Sequence, residues 1–419
     1  MANTLEIYYQ GKKEKVHLPS QWKLLGVGEP REVEPISDME AELRRVLDSP
    51  LGLPPLAELC SRAKSAAVIV DDQTRPTPAY LILPQLLKQI ERAGVPRDRI
   101  TVIIGRGTHR VPNQEEIRAK VGAEVAANYR IVIHDPDDKA SLVHLGQTRR
   151  GTPVWINKVV AEADFSVGIG NVVAHYLTGY AGGPKIILPG VSGRETIVPN
   201  HTMVKLPEVR QGRTEGNPLH EDQMEVAQIA RLTMKVDVVL NMNNQIVRIV
   251  AGEVATAHKA AIQAYNEVYG YRVPALADVT IASGYPLEVE LLQSCKALLS
   301  ADIATRPGGT ILLASQCKDG PGPGFYEALR EKVEPAQIYQ WIFEGKATPT
   351  GGPIAGRVKQ LLKDKKVVVV TERIAPPQLE EMGMIYAASL DEAISRISSW
   401  AKQAQVLAFP AGSSSNPIV

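Results

Sequence analysis

Several short stretches of this chain carry side chains able to do chemistry. Gly105-Arg106-Gly107-Thr108-His109-Arg110 puts an imidazole just after an apolar run, and an unperturbed pKa of about 6.5 suits acid/base work. Position alone leaves an exposed loop histidine equally open. Asp72-Gln73-Thr74-Arg75 follows the preceding apolar run in the same way. Arg75 offers a planar fork that grips a carboxylate or phosphate. Asp72 can orient that fork, bind a ribose hydroxyl, or close an ordinary Asx-type turn.

Asn171 to Thr202 holds His175, Lys185 and His201 among many Gly and Pro residues. It has too many breakers for a long helix and too much apolar sequence for a linker, so it reads as an ordered loop system. In that reading Lys185 and His201 hold a prosthetic group and His175 faces a substrate. Gly-Tyr-Ala-Gly-Gly-Pro-Lys is not a phosphate loop: Gly-Lys-Ser/Thr is absent, and Pro184 supplies no N–H. A lysine after such a run and before Ile186-Ile187-Leu188 fits a covalent attachment point or a desolvated nucleophile. A solvated tether is the alternative. His109, His175 and His201 can also be read as a three-histidine zinc site of a hydrolase, although the short helical spacing of such motifs is missing. Gln293-x-x-Lys296 sets an amide and an ammonium one helical turn apart, able to clamp a carboxylate or simply to form a charged face. His17, His134, His144, His220 and His258 stand in less pointed contexts and read as structural or surface residues.

These residues need elements to hold them. Ala66–Val70 and Arg99–Gly105 are continuous apolar runs of strand length, each followed by a helical pattern, and the polar turns sit at their C-terminal ends, where open α/β sheets bind ligands. Leu5–Leu18 reads as a hairpin around Gln10-Gly11-Lys12-Lys13. Ser20 to Leu53, rich in Pro and Glu, is expected to wander over the surface. A fresh strand–helix series begins near Ala275 after a connector at 269–277. The expectation is two α/β domains with mainly parallel sheets: an N-terminal cofactor-binding domain over 1–270, a smaller domain over 271–408, a tail over 409–419 that is loose or packs on the first domain, and the active site in the cleft between domains.

Composition limits the function. The 419 residues are 44% hydrophobic and 22% charged with net charge +1, so neither nucleic acid nor a membrane surface gains electrostatic support. Aromatics at 5% leave no stacking platform for single strands. The N-terminus lacks a signal-peptide core, and no stretch has the roughly 20 apolar residues that span a bilayer. Cys60, Cys295 and Cys317 form no CxxC pair, and a reducing cytoplasmic setting is expected. A non-enzymatic binder of nucleotides or small anions, using Arg75 and the Gly-rich turns, stays open beside the enzyme readings.

Taken in order, Asp72-Gln73-Thr74-Arg75-Pro76, Gly107-Thr108-His109-Arg110, His175, Gly182-Gly183-Pro184-Lys185, Pro199-Asn200-His201 and Gln293-x-x-Lys296 resemble the lactate racemase family, the nickel-pincer enzymes. The resemblance spans nearly the whole chain. It implies a racemase or epimerase of a 2-hydroxy acid that works by reversible hydride transfer. The cofactor would be a nickel complex of pyridinium-3,5-bisthiocarboxylate mononucleotide, covalently attached at Lys185, with His201 as the protein's nickel ligand. Asp72, Gln73, Thr74 and Arg75 would hold the cofactor. Arg75, Gln293 and Lys296 would bind substrate, and His109 and His175 would shuttle protons. Cofactor-biosynthesis proteins would be needed for loading. Leu292 stands where many lactate-acting relatives carry an aromatic, and Glu288 and Glu290 make the helix entry acidic, so lactate is one of several 2-hydroxy acids implied.

Overall fold

A computed structural model describes residues 4–348 and 351–419, apart from the side chain of Phe343. The chain divides into two compact units, Glu32–Val268 and Met1–Arg31 together with Tyr269–Val419.

In the first unit the strands Ala66–Asp71, Ile100–Gly105, Phe165–Asn171 and Met234–Leu240 are buried almost throughout. Such runs suit parallel strands covered on both faces. They form a six-stranded sheet in the order Ile246–Gly252, Met234–Leu240, Phe165–Asn171, Ala66–Asp71, Ile100–Gly105, Arg130–Ile133. Every neighbouring pair is parallel except the first, an antiparallel edge. One apolar cluster packs Val68, Val70 and Val102 against the helices Met39–Asp48 and Ala79–Arg92. A second packs Ala67, Ile69 and Ile103 against Ile186–Leu188 and Val226. Alternate residues of each strand thus serve opposite layers.

The second unit holds another six-stranded sheet, ordered Ile385–Ala387, Lys366–Val370, Thr305–Ala314, Ala277–Ser283, Ala404–Phe409, Trp22–Val27, all parallel. Its last strand comes from the other end of the chain. The expected continuous domain over 1–270 is therefore corrected: Trp22–Val27 completes the sheet of the second unit, and the hairpin Thr4–Tyr9/Lys12–His17 packs with it. The tail is neither loose nor part of the first unit, because Asn416–Ile418 pairs in parallel with Gly270–Arg272.

The segment expected to wander is also ordered. Asp38 caps the helix Met39–Asp48 by accepting the Ala41 N–H at 2.9 Å, and Leu43, Val46 and Leu47 recur at the spacing that buries one helix face. The hairpin Leu142–Gln147/Pro153–Asn157 was not anticipated.

Candidate active site

Three strands of the first unit end at one place. Asp71 and Asp72 lie at the end of Ala66–Asp71, Gly105 ends Ile100–Gly105, and Asn171 ends Phe165–Asn171. Together with Arg75, His109 and Lys185 these positions line an open cavity of about 510 Å³. A second groove, beside Trp155 and Leu142, has charged groups that already pair, Arg194 with Asp137 and Lys139 with Glu195.

Asp72 is buried, and its Oδ1 accepts from the Thr74 N–H at 2.9 Å and the Thr74 hydroxyl at 2.6 Å. Its Oδ2 accepts from His109 Nδ1 at 2.6 Å. Burial works against the charge on Asp72, but the hydrogen bonds from His109 and Thr74 outweigh it and hold the carboxyl below its usual range. An ionised carboxylate only accepts, so Nδ1 carries the proton and Nε2 is left as the working nitrogen. The sequence reading gave Asp72 to the cofactor. The structure gives it a partner, His109, from the neighbouring strand's turn.

The turn itself is clamped from below. Lys120, nearly buried on the helix Gln114–Val121, donates to Asp71 Oδ1 at 2.8 Å, the Arg75 carbonyl at 2.9 Å and the Thr77 carbonyl at 3.1 Å. Thr77 donates to Asp71 and bonds Asn171 Oδ1 at 3.1 Å, tying two strand ends together. Lys120 escaped the sequence reading because a lysine in a charged helix looks solvated. Only its spacing beside Ile117 and Val121, both buried, hinted otherwise. Arg75 lines the cavity with no side-chain hydrogen bond or ion pair among the described residues. Gln73 instead reaches the Arg110 carbonyl at 3.5 Å.

Lys185 sits in a short 3₁₀ turn, Gly183–Ile186. Gly182 and Gly183 take φ of 82° and 49°, backbone that suits glycine. Lys185 Nζ lies 2.6 Å from His175 Nε2. On the far side of that ring, Nδ1 accepts from the Leu177 N–H at 3.2 Å and the Thr178 N–H at 3.4 Å. The backbone thereby turns Nε2 of His175 toward the lysine.

His201 occupies the last turn of the helix Arg194–Thr202. Burial pushes its pKa down to about 4, and the charge of Lys185, when protonated, adds to the effect. Its buried Nδ1 makes no well-formed hydrogen bond among the described residues, although the Ile197 backbone one turn back lies close enough to favour the protonated ring a little. A largely neutral imidazole fits a metal ligand, the role a single-histidine nickel complex requires. No group of three or more His, Cys, Asp or Glu among the described residues is arranged to hold a metal, so His109, His175 and His201 do not form the expected alternative zinc cluster. His134 and His258 are structural: His134 faces the Ser192 carbonyl at 2.9 Å, and His258 faces the Ala181 carbonyl at 3.1 Å.

Gln293 and Lys296 lie in the first two turns of the helix Leu291–Ala304, in the other unit. There Gln293 is half-buried and Lys296 exposed. The acidic helix entry expected from Glu288 and Glu290 is corrected in one part: Glu290 is half-buried, but Glu288 is withdrawn from the surface. Leu292 is buried, and Glu288 is buried too, its carboxyl pushed up by burial and approached by backbone N–H groups of Gln316, Gln10 and Gly11. The three cysteines are free and buried. No helix among the described residues is long and apolar enough to cross a membrane.

Comparison with known proteins bears on the family and the fold. Residues 9–212 match the family described as Lactate racemase N-terminal domain, and residues 272–415 match Lactate racemase C-terminal domain. The chain is 32% identical over 381 residues to a lactate racemase of Lactiplantibacillus plantarum, covering 88% of each. It is 30% identical over 402 residues to one of Thermoanaerobacterium thermosaccharolyticum, covering 94% of each. Among solved structures, the lactate racemase apoprotein from Thermoanaerobacterium thermosaccharolyticum superposes with a TM-score of 0.88 at 29% identity, over 99% of this chain and 100% of that one. A Thermotoga maritima protein shares the fold at a TM-score of 0.61 and 16% identity, over 91% of this chain and 98% of that one.

Proposed function

This chain belongs to the lactate racemase family, and on that premise we propose that it is a racemase or epimerase of a 2-hydroxy acid dependent on a nickel-pincer nucleotide held at Lys185. The observation that carries the reading is the convergence on one cavity of an oriented imidazole, His109 on Asp72, and the Lys185 amine on His175.

The α-hydrogen of a 2-hydroxy acid is hard to remove as a proton, because the adjacent carboxylate spreads little further negative charge. The bound cofactor supplies a hydride acceptor and so avoids that carbanion. The protein's part is to position, hold and move protons. Arg75, with no side-chain partner among the described residues, takes an anionic end of cofactor or substrate. Gln293 and Lys296 are assigned to the substrate carboxylate on the family resemblance. His109 receives the hydroxyl proton at Nε2, because Asp72 keeps the other ring proton on Nδ1. His175 would hold the proton for the opposite face, so that a planar 2-oxo acid that has turned its other face to the hydride donor regains its hydroxyl proton with inverted configuration. Lys185 would anchor the group, and His201, kept neutral by burial, would supply a nitrogen to nickel.

Cofactor-loaded protein, offered a panel of single-enantiomer 2-hydroxy acids, should convert at least one into its mirror form or epimer. Intact mass should show an adduct on Lys185, with nickel bound. An unmodified Lys185 after production in a host that makes the cofactor would refute the proposal. Loading then depends on other proteins that assemble the cofactor.

A further inference from the structure

Beneath the attachment turn lies an ion pair that none of these steps uses. Lys235 and Asp237 are two residues apart on the strand Met234–Leu240, so they share a face, and both side chains are fully buried. Their partners on the neighbouring strand are Gly168 and Gly170. Glycine there leaves room for a long cation: a Cβ at 170 would sit 3.2 Å from Lys235 Nζ. That ammonium donates to Asp237 Oδ1 at 2.6 Å and to the Val236 carbonyl at 3.1 Å. The other oxygen of Asp237 accepts the Gly183 N–H at 2.9 Å.

The contact reaches the middle of the Lys185 turn. Gly183 lies two residues before Lys185, whose own N–H bonds back to the Gly182 carbonyl at 3.1 Å. A Cβ at 182 would come within 2.9 Å of Asp237 Oδ1, and one at 183 within 2.4 Å of the His258 ring. The turn is therefore seated on a carboxylate on one side and an imidazole on the other.

Stability does not explain the pair. Taking two charges out of water costs several kcal/mol per ion, and apolar replacements of equal volume are often neutral or stabilising. What the pair gives that apolar groups cannot is a fixed acceptor for one backbone N–H. We propose that Asp237, its charge balanced by Lys235, is a positioning residue that pins Gly183 and thereby fixes where Lys185 presents its amine for covalent attachment. The attachment itself rests on the function proposed above; the pinning does not.

Two double variants separate a positional role from a merely structural one. K235M/D237N keeps an oxygen that can accept the Gly183 N–H, and K235M/D237L does not. Produced in a cofactor-making host, K235M/D237N should keep a Lys185 adduct within about threefold of wild type by intact mass. K235M/D237L should fold, with its melting temperature only a few degrees below that of K235M/D237N because the Gly183 N–H is left unpaired, yet lose the adduct at least tenfold. A wild-type adduct level in folded K235M/D237L overturns the proposal. The second measurement needs no cofactor: amide hydrogen exchange at Gly183 in empty wild-type protein. Protection at least a hundredfold beyond an open loop is expected, and exchange at the open-loop rate overturns the pinning even if a variant fails to fold. Wild-type protein that never acquires an adduct refutes the attachment and leaves the exchange measurement to decide the pinning alone.

Discussion

Asparagine at position 72 would keep the shape of the aspartate while removing its charge. The Thr74 contacts to Oδ1 can survive the change, because an amide oxygen still accepts. The 2.6 Å contact to His109 cannot. The asparagine amide turned toward Nδ1 is a donor, so the imidazole must present a bare Nδ1 and move its proton to Nε2, the nitrogen required as base. A hydrogen bond to a charged partner is worth about 1.5–3 kcal/mol. Asp72 is 2% exposed, but the His109 side chain is 41% exposed, so solvent screening on the imidazole side favours the lower part of that range. At about 1.4 kcal/mol per tenfold in rate, Asp72→Asn should lower kcat by about 10- to 150-fold. The assay is enantiomer interconversion followed by chiral chromatography, with nickel per chain measured on the same sample. Turnover should fall while nickel and the Lys185 adduct stay. Wild-type turnover refutes the orienting role. Loss of nickel in proportion to activity would return Asp72 to the cofactor-binding role that the sequence alone suggested. The depressed carboxyl also gives a sign: its contribution to stability is full above the ordinary aspartate value of about 3.9 and is lost as pH falls through its lower folded value.

Three further outcomes follow from the same geometry. His109→Ala should abolish racemisation with nickel largely retained, whereas Lys185→Ala should lose the cofactor itself; equal nickel loss in both would mean the roles are misassigned. Lys120→Met leaves Asp71 Oδ1 and the Arg75 carbonyl unpaired under the Asp72 turn, while Thr77 still bonds the other Asp71 oxygen and the Ala79 N–H still bonds the Thr77 carbonyl; the loss should cost about 3 kcal/mol and lower the melting temperature by on the order of 10 °C, and a shift of only about 1 °C would refute the clamp. His134 is held neutral by burial with its pKa pushed down to about 4, and His220 likewise to about 3. Their folded values lie below the unfolded value of about 6.5, so stability is full above that pH and falls as pH drops toward 4, by ~3 kcal/mol for His134. Urea midpoints measured across that range should fall, and a flat midpoint would refute it.

The parallel sheets were legible because their strands are continuous apolar runs, and Ala66–Val70 announces itself by composition. The polar turns after those runs, and hence Asp72, Arg75 and His109, followed from the rule that such sheets bind ligands at strand ends. Long-range pairing was not legible. Nothing in Trp22–Val27 says that its partner is Ala404–Phe409, because a parallel strand carries no turn to declare its neighbour. The Asp72–His109 and Lys185–His175 contacts were hidden in the same way: each residue type suggested chemistry, but which side chain would meet which depends on turn geometry. The buried Lys120 and Lys235 were invisible for a different reason. A lysine in isolation reads as solvated, and only the carboxylates waiting for it in the fold make burial tolerable.

The parallel seam between Trp22–Val27 and Ala404–Phe409 also bears on biogenesis. Translation proceeds from the N-terminus, so Trp22–Val27 emerges early and must stay unmated while the ribosome makes everything up to Ala404. Throughout that interval the Glu32–Val268 body can finish folding as a globule tethered to a waiting ribbon. A recombinant fragment of residues 269–419 would be born without the ribbon, leaving the backbone of Ala404–Phe409 as a raw flank open to self-association. Supplied as a separate peptide, residues 1–31 should zip onto that flank and restore solubility.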